Sequence, residues 1–309
     1  MRVVVALGGN ALSPGAATGS VEEMRATLTG TARALADLVA DGTSLVLTHG
    51  NGPQVGRLLL QQELAAGEVP PMPMDVCGAL SQGQLGYLVA QALDNELRRR
   101  RLDNRVLSLV TQVVVDGRDP AFRRPSKPVG PSYLRPKAQE IAHSTGHVFA
   151  IQPDGRWRRV VASPRPLRIV ETGPLRALAD SGHVVVAAGG GGVPVVEHRG
   201  QLHGVEAVVD KDRTAALLAT SVGADVLLVL TEVARVQLGY GTPEARALES
   251  MTVGEARLWL AEGEFPEGSM GPKVEACADF VEAGGRAAIG SLSDAAAVLA
   301  GQAGTTLTP

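Results

Sequence analysis

Aromatic residues and long apolar segments are both scarce in this 309-residue sequence. Phe, Trp and Tyr together make up 3% of it, so the core has to be built from Ala, Val and Leu. No apolar run approaches the roughly 18 residues that a membrane-spanning helix needs. The amino terminus passes from Met1 and Arg2 into a short apolar run and then a glycine pair, which is too short for a signal peptide. We therefore expect a cytoplasmic protein without a membrane segment.

Cysteine is rare, and there is no strong excess of charge of either sign. Cys77 and Cys277 lie far apart and form no CxxC motif, which is typical of buried thiols in a reducing compartment. The net charge is −3, and the chain has no basic tail and no stretch that interleaves basic and aromatic residues, so we expect no nucleic-acid partner. His143 and His147 have i,i+4 spacing, but Gly146 weakens a helix there, and we expect no protein-bound metal.

What the chain does contain is a regular alternation of short apolar segments and amphipathic segments. This alternation predicts an α/β fold with a mostly parallel sheet. The predicted strands are residues 2–7, 44–48, about 105–115, 183–188, 225–231 and 286–290. The predicted helices are a capped helix from Ser20 to about Asp41, and segments at about 53–64, 79–101, 212–222, 252–262 and 272–283.

The alternation stops between residues 116 and 169, where Pro, Arg, Gly and Ser are frequent. Two short pieces, at 148–152 and 159–162, have strand character, and little helix is predicted. A stretch of this length without long elements is often functional. We interpret it as a small inserted subdomain that acts as a lid.

Three glycine-rich loops follow predicted strands, at residues 8–10, 50–54 and 189–192. Glycine at such a position lets backbone N–H groups approach an anion, and the next helix adds its dipole. Each loop alone could be a tight βα turn, but three of them indicate one crevice at the carboxyl edge of the sheet. A GxxxxGK[ST] motif is absent, and the GxGxxxG at 50–56 lacks the acidic residue of a dinucleotide site.

Lysines occur at the starts of two predicted helices, where a cation opposes the helix dipole. Lys211 follows Asp210, and Lys273 follows Pro272, which we place at the first helical position. Asp212 could simply neutralise Lys211, yet two such lysines favour an anion bound at both helix ends. Lys127 lies between prolines in the lid, where a solvated loop lysine is an equal alternative. Phosphoryl transfer needs such positive groups around the transferring phosphoryl.

Sequence motifs along this chain are similar to those of the carbamate kinases, within the amino-acid kinase superfamily. The similarity runs nearly end to end, through ALGGNAL at 6–12, THGNGPQVG at 48–56, MDVCGALSQGQLGY at 74–87, KPVGPSY at 127–133, WRRVVASPRP at 157–166, AAGGGGVPV at 187–195, GVEAVVDKD at 204–212 and GSMGPKVEA at 268–276. The resemblance implies an open three-layer αβα sandwich with a mostly parallel central sheet and a small protruding subdomain, usually as a homodimer. It also implies reversible transfer between ATP and carbamate, giving carbamoyl phosphate and ADP.

The resemblance also implies roles for particular residues. An amino-terminal lobe, 1–210, would bind carbamate or carbamoyl phosphate, and a carboxy-terminal lobe, 211–309, would bind the nucleotide, with Mg²⁺ carried on its phosphates. The implied catalytic residues are Lys127, Asp210, Lys211 and Lys273, with Asp210 orienting the lysines. The implied phosphate- and substrate-binding residues are Gly8, Gly9, Asn10, Gly50, Asn51, Gly52, Gly190 and Gly191. The implied nucleotide-binding residues are Thr231, Val236, Tyr240, Ser269 and Met270.

The chain departs from the family pattern at two places. Ala234 and Arg235 stand where an acidic residue and then glycine or lysine are common, and Ser132 replaces an aromatic residue. Both departures bear on nucleotide affinity and on the identity of the acid. A kinase of another small carboxylate or phosphonate, and a sensor that binds a metabolite without catalysis, therefore stay open as alternatives. A dehydrogenase is disfavoured by the missing ribose-binding acid.

Overall fold

The computed structural model describes residues 1–12, 19–266 and 268–309. The strands of this part are β1 Arg2–Leu7, β2 Ser44–His49, β3 Val106–Ser108, β4 Gln112–Val115, β5 Lys127–Tyr133, β6 Phe149–Ile151, β7 Trp157–Val161, β8 Pro166–Ile169, β9 Val184–Val186, β10 Val193–His198, β11 Gln201–Gly204, β12 Val226–Thr231, β13 Gln237–Leu238, β14 Arg246–Ala247, β15 Ser250–Thr252, β16 Arg286–Ser291 and β17 Thr305–Thr308. The α-helices are α1 Val21–Ala40, α2 Gly52–Ala65, α3 Met74–Arg99, α4 Arg135–Thr145, α5 Thr172–Asp180, α6 Lys211–Val222, α7 Val253–Ala261, α8 Met270–Glu282 and α9 Ala295–Leu299. None of the helices within these ranges is long and apolar enough to span a membrane.

The central sheet has the strand order β15-β17-β16-β12-β1-β2-β9-β3. The strands from β16 to β3 are mutually parallel, and β17 runs antiparallel to β16. Side chains alternate along β1: Val4 and Ala6 pack towards α5, α6 and α8, whereas Val3, Val5 and Leu7 pack towards α1, α3 and α9. Because both faces of the sheet are covered by helices, its strands are apolar throughout, and the predicted three-layer αβα sandwich is confirmed.

Most predicted elements are present, and the capping box of α1 is formed by Ser20 and Glu23. Three predictions of element boundaries were wrong. Helix α3 begins at Met74, five residues before its predicted start. The apolar run at 105–115 is two strands in different sheets, and the side chain of Gln82 bonds the Thr111 backbone between them. Helix α8 begins at Met270, so Pro272 is its third residue and not its first.

The inserted segment is more regular than the sequence predicted. Strands β5, β7 and β6 form a separate antiparallel sheet, and helix α4 packs beside it. The expectation of little helix was wrong, because α4 buries only Ala138 and its apolar pattern is short and weak. The pieces at 148–152 and 159–162 correspond to β6 and β7. Strand β8 leaves this subdomain and pairs with β4 in the sheet β11-β10-β4-β8.

Candidate active site

A cavity of about 620 Å³ opens at the carboxyl ends of β1 and β2. Its walls come from the loops after these strands, from the loop after β9, from the start of α6 and from β5 of the inserted subdomain. The structure brings these sequence-predicted residues to its wall: Gly9, Gly50, Asn51, Gly52, Lys127, Gly190, Asp210, Lys211 and Lys273. Segments far apart in the chain thus converge on one crevice, as expected for an open α/β sheet.

Gly8, Asn10 and Gly191 lie next to this cavity but do not line it. The Gly8 N–H donates to the Leu230 carbonyl at 2.9 Å, and a Cβ at Gly8 would lie 3.1 Å from that oxygen. Gly191 has φ +91°, and a Cβ there would collide with the Val209 carbonyl. Glycine is therefore required at position 191, whereas a Cβ at position 8 would make a tight contact with the backbone behind the cavity.

Asn51 is held in a fixed orientation at the cavity wall. Its Nδ2 donates to Ser81 Oγ at 2.7 Å, and Ser81 Oγ in turn donates to the Gly78 carbonyl at 2.6 Å. Gly190 packs against the other side of the Asn51 amide so closely that a Cβ there would overlap it. The Asn51 side chain is thus positioned by α3 on one side and by the loop 189–192 on the other.

A cluster of three lysines and two aspartates forms the charged side of the cavity. Lys127 Nζ lies 3.0 Å from Asp210 Oδ2, and Lys211 Nζ lies 2.6 Å from Asp212 Oδ1. Lys273 Nζ lies 3.2 Å from the other oxygen of Asp212 and donates to the Ser269 carbonyl at 3.0 Å. Asp210 was expected to orient the lysines. It contacts Lys127, while Asp212 bridges Lys211 and Lys273.

Asp210 also caps helix α6. Its Oδ1 accepts from the Asp212 N–H at 2.9 Å, and its side chain is largely buried. Burial acts to raise its pKa, but Lys127, the Asp212 N–H and Lys211 outweigh burial and hold the pKa below its ordinary value. Asp210 is therefore a carboxylate at neutral pH.

The cavity keeps a positive excess despite these ion pairs. Three lysines face two carboxylates, and Arg158 also lines the wall. Lys211 and Lys273 lie in the first turns of α6 and α8, where a cation opposes the dipole by about 0.3–1 kcal/mol. Two helix N-termini and a cationic surplus together form a site for a multiply charged anion.

His49 lies at the end of β2 and is 1% exposed. Burial lowers its pKa to about 4, the hydrogen bond with the Gly50 carbonyl acts in the opposite direction, and Lys211 lowers it further. Because the carbonyl at 2.9 Å accepts, Nδ1 carries the proton of the neutral ring. His49 is thus a neutral structural side chain behind the cavity.

A second cavity of about 210 Å³ adjoins the first. Thr231, Tyr240, Ser269 and Met270 line it, and Lys273 lies on the walls of both cavities. Val236 does not reach it: this residue is fully buried in the core, and its N–H donates to Thr305 Oγ1 at 2.9 Å. Phe265 and Pro266, which no sequence motif indicated, also line this cavity.

The departures from the family pattern fall on different parts of the molecule. Arg235 lines the second cavity and pairs with Glu249 at 2.8 Å, whereas Ala234 is absent from the wall. Glu232 supplies a carboxylate two residues before the position where one was expected. Ser132 lies in β5 and lines neither cavity.

The described residues contain no group of three or more His, Cys, Asp and Glu side chains that could hold a metal ion. His143 and His147 do not share a helix face, because α4 ends at Thr145 and Gly146 is left-handed. The two carboxylates in the wall of the first cavity, Asp210 and Asp212, are each engaged with lysine ammonium groups.

Comparison with known proteins defines the class first. Residues 1–291 match the model of the amino acid kinase family. The chain is 47% identical to the carbamate kinase of Pyrococcus horikoshii, over 100% of this chain and 99% of the relative. It is 48% identical to that of Halobacterium salinarum, over 99% and 98%. The chain therefore belongs to the carbamate kinases of the amino acid kinase family.

Solved structures agree with this assignment. Carbamate kinase from Giardia lamblia bound to AMP-PNP has a TM-score of 0.94 and 40% identity, with 99% of this chain and 98% of that chain covered. An N-acetylglutamate synthase from Neisseria gonorrhoeae, at 17% identity and a TM-score of 0.58, shares the fold alone. The predictions of fold and family are confirmed.

Proposed function

We propose that this chain catalyses reversible phosphoryl transfer between ATP and carbamate, giving carbamoyl phosphate and ADP. The observation that carries the proposal is that Lys127, Lys211 and Lys273 line the larger cavity, and that Lys273 also lines the smaller one. The larger cavity, with its glycine loops and Asn51, would hold the carbamoyl phosphate, and the smaller one would hold the nucleotide base and ribose.

The lysines would stabilise the transferring phosphoryl. Lys273 lies on the walls of both cavities, and the phosphoryl would pass from donor to acceptor beside it. Lys211 shares Asp212 with it, so the two ammonium groups are held by one carboxylate that is almost fully buried. Charge held in place before the reaction requires no reorganisation in the transition state, and such groups supply most of the catalysis in phosphoryl transfer.

Lys127 would reach the same phosphoryl from the inserted subdomain. Its ion pair with Asp210 joins β5 to the start of α6 across 83 residues of sequence. We propose that residues 116–169 act as a lid, and that closure excludes water from carbamoyl phosphate, which is labile. Mg²⁺ would enter on the nucleotide phosphates, because Asp210 and Asp212 are already committed to the lysines.

The proposal is tested by incubating the purified protein with carbamoyl phosphate and MgADP and measuring ATP. We expect ATP formation with a kcat in the range of ordinary kinases, about 1–100 s⁻¹. Acetyl phosphate and small phosphonates serve as competing substrates. Nucleotide binding without ATP formation would refute the proposal in favour of a sensor, and faster turnover of another acyl phosphate would reassign the acid.

We further propose a homodimer formed through α3 and the edge strand β3. Val76, Leu80 and Tyr87 are exposed along α3, and Leu107 and Val110 are exposed at β3 and just after it. The edge strand has unpaired backbone N–H and C=O groups, and the apolar face of the helix beside it is unfavourable in water. A second copy of the chain would cover both. Light scattering should give twice the chain mass, and Leu80→Glu should give the monomer.

A cytoplasmic location fits the two free, buried cysteines.

A further inference from the structure

Two buried hydroxyls hold Ala188, the residue that opens the loop 189–192. Ala188 has φ +52° and ψ +31°, a left-handed conformation that is unfavourable for a residue with a Cβ. Thr111 Oγ1 accepts the Ala188 N–H at 3.1 Å, and Thr48 Oγ1 donates to the Ala188 carbonyl at 3.0 Å. Both threonines are 0% exposed. The loop therefore starts from a strained residue whose backbone is held on both sides.

The Thr111 hydroxyl is itself held in one orientation. It donates to the Leu109 carbonyl at 3.0 Å, which leaves a lone pair for the Ala188 N–H. Gln82 of α3 bonds both backbone groups of Thr111: its Oε1 accepts the N–H at 2.9 Å, and its Nε2 donates to the carbonyl at 3.1 Å. Helix α3 thus fixes Thr111, and Thr111 fixes Ala188.

The loop that follows reaches the reaction site on two sides. Gly190 lies on the cavity wall against the Asn51 amide. The Gly191 carbonyl accepts from Thr214 Oγ1 at 3.1 Å, in the first turns of α6 and one turn from Lys211. A shift at Ala188 would therefore move a wall of the cavity and press on the element that carries a catalytic lysine. Neither Thr111 nor Thr48 lines the cavity.

We propose that Thr111, together with Thr48, is a positioning residue for the carbamoyl phosphate side of the reaction. The hydroxyls hold the backbone of Ala188 in its left-handed conformation, and this conformation determines the position of Gly190 against Asn51. Without these hydrogen bonds, Ala188 relaxes to an unstrained backbone conformation and the cavity wall shifts. The inference rests on the proposed function, because it assigns the larger cavity to carbamoyl phosphate.

The test compares Thr111→Val, which keeps the shape and removes the hydroxyl, with Thr111→Ser, which keeps the hydroxyl. We expect kcat/KM for carbamoyl phosphate to fall about 10- to 100-fold in Thr111→Val, since small displacements of reacting groups have effects of this size. KM for MgADP should stay at the wild-type value, and Thr111→Ser should restore most of the activity. Thr48→Val removes the second hydroxyl and should give the same pattern.

A matched control is Thr305→Val. Thr305 is also 0% exposed, and its hydroxyl likewise accepts from a backbone N–H and donates to a carbonyl, at 2.9 and 2.6 Å. It lies in β17, so this variant should lose comparable stability while keeping the wild-type KM for carbamoyl phosphate. Wild-type kcat/KM in Thr111→Val, or an equal loss in Thr305→Val, would overturn the positioning role.

Hydrogen exchange gives a readout that does not depend on turnover. The amides of residues 188–192 should exchange at least tenfold faster in Thr111→Val, with Thr111→Ser close to the wild type. Unchanged exchange there would also overturn the proposal, even if the wild type formed no ATP and the assignment of the reaction itself had failed. If Thr111→Val does not fold, Thr48→Val and its serine counterpart decide the same question.

Discussion

Acidification should destabilise this protein through His49, before most carboxylates are protonated. His49 is fully buried beside Lys211, and burial lowers its pKa from the ordinary 6.5 to about 4. Between these two pH values the unfolded chain binds a proton that the folded chain does not bind. The free energy of unfolding therefore decreases as the pH falls from about 6.5 to 4, and His49 has no such effect above 6.5.

The size of this effect follows from the shift in pKa. A shift of one pKa unit corresponds to about 1.36 kcal/mol, so a decrease from 6.5 to about 4 gives a loss of about 3 kcal/mol between pH 7 and pH 4. That loss is a large part of the roughly 5–15 kcal/mol that stabilises an ordinary domain. Because His49 touches Gly50 and lies against Gly189, protonation should also disturb two of the loops at the reaction site.

The assay is urea denaturation at several pH values for the wild type and for His49→Asn. Asparagine places an N–H donor near the position of Nδ1 and does not titrate. The variant therefore loses stability through poorer packing by the same amount at every pH, and this loss does not affect the pH dependence. Carboxylates such as Glu96, whose pKa is lowered to about 2 by Arg99 and Arg100, titrate equally in both proteins and cancel in the difference. We expect the wild type to lose about 3 kcal/mol more than the variant between pH 7 and 4. If the free energy of unfolding depended on pH equally in both proteins, the assignment of His49 as a buried, neutral side chain would be refuted.

Further predictions concern the lysines and the thiols. Lys211→Ala or Lys273→Ala should lower kcat by about 10²–10³ with little change in the affinity for MgADP, because each removes a preorganised charge. Lys127→Ala should impair use of carbamoyl phosphate and spare nucleotide binding, measured by steady-state kinetics and calorimetry. Cys77 and Cys277 are buried and have raised pKa values, so the folded protein should react with thiol reagents only after unfolding.

Each of these predictions has an outcome that contradicts it. A near-normal kcat with only a raised KM for MgADP would show that Lys211 and Lys273 do not stabilise the transition state. Exchange of residues 116–169 that is equal with and without both substrates, together with an active Lys127→Ala enzyme, would reduce the lid to a passive insertion. Lys137→Ala serves as the control for Lys127, because it removes an exposed lysine of the same subdomain that pairs with Glu140. Rapid labelling of either cysteine under native conditions would show that the core opens locally.

The sequence by itself determined the class of the fold and the elements that border the site. Continuous apolar strands, amphipathic helices and the Ser20 capping box are local patterns, and each acts within a few residues of itself. Glycine after a strand and lysine at the start of a helix are local signals of the same kind. For this reason Gly50, Asn51, Lys211 and Lys273 could be named before any contact was known.

Tertiary structure alone decided which of these groups meet. Lys127 and Asp210 are 83 residues apart, and Lys273 and Asp212 are 61 residues apart, so no local pattern encodes either ion pair. The same holds for the hydroxyls of Thr48 and Thr111, which converge on Ala188 from different segments. Helix α4 was not predicted because it buries only Ala138, and a helix that covers little of a core carries only a weak apolar pattern. The position of a buried polar group depends on the partner that satisfies it, and that partner is chosen by the fold as a whole.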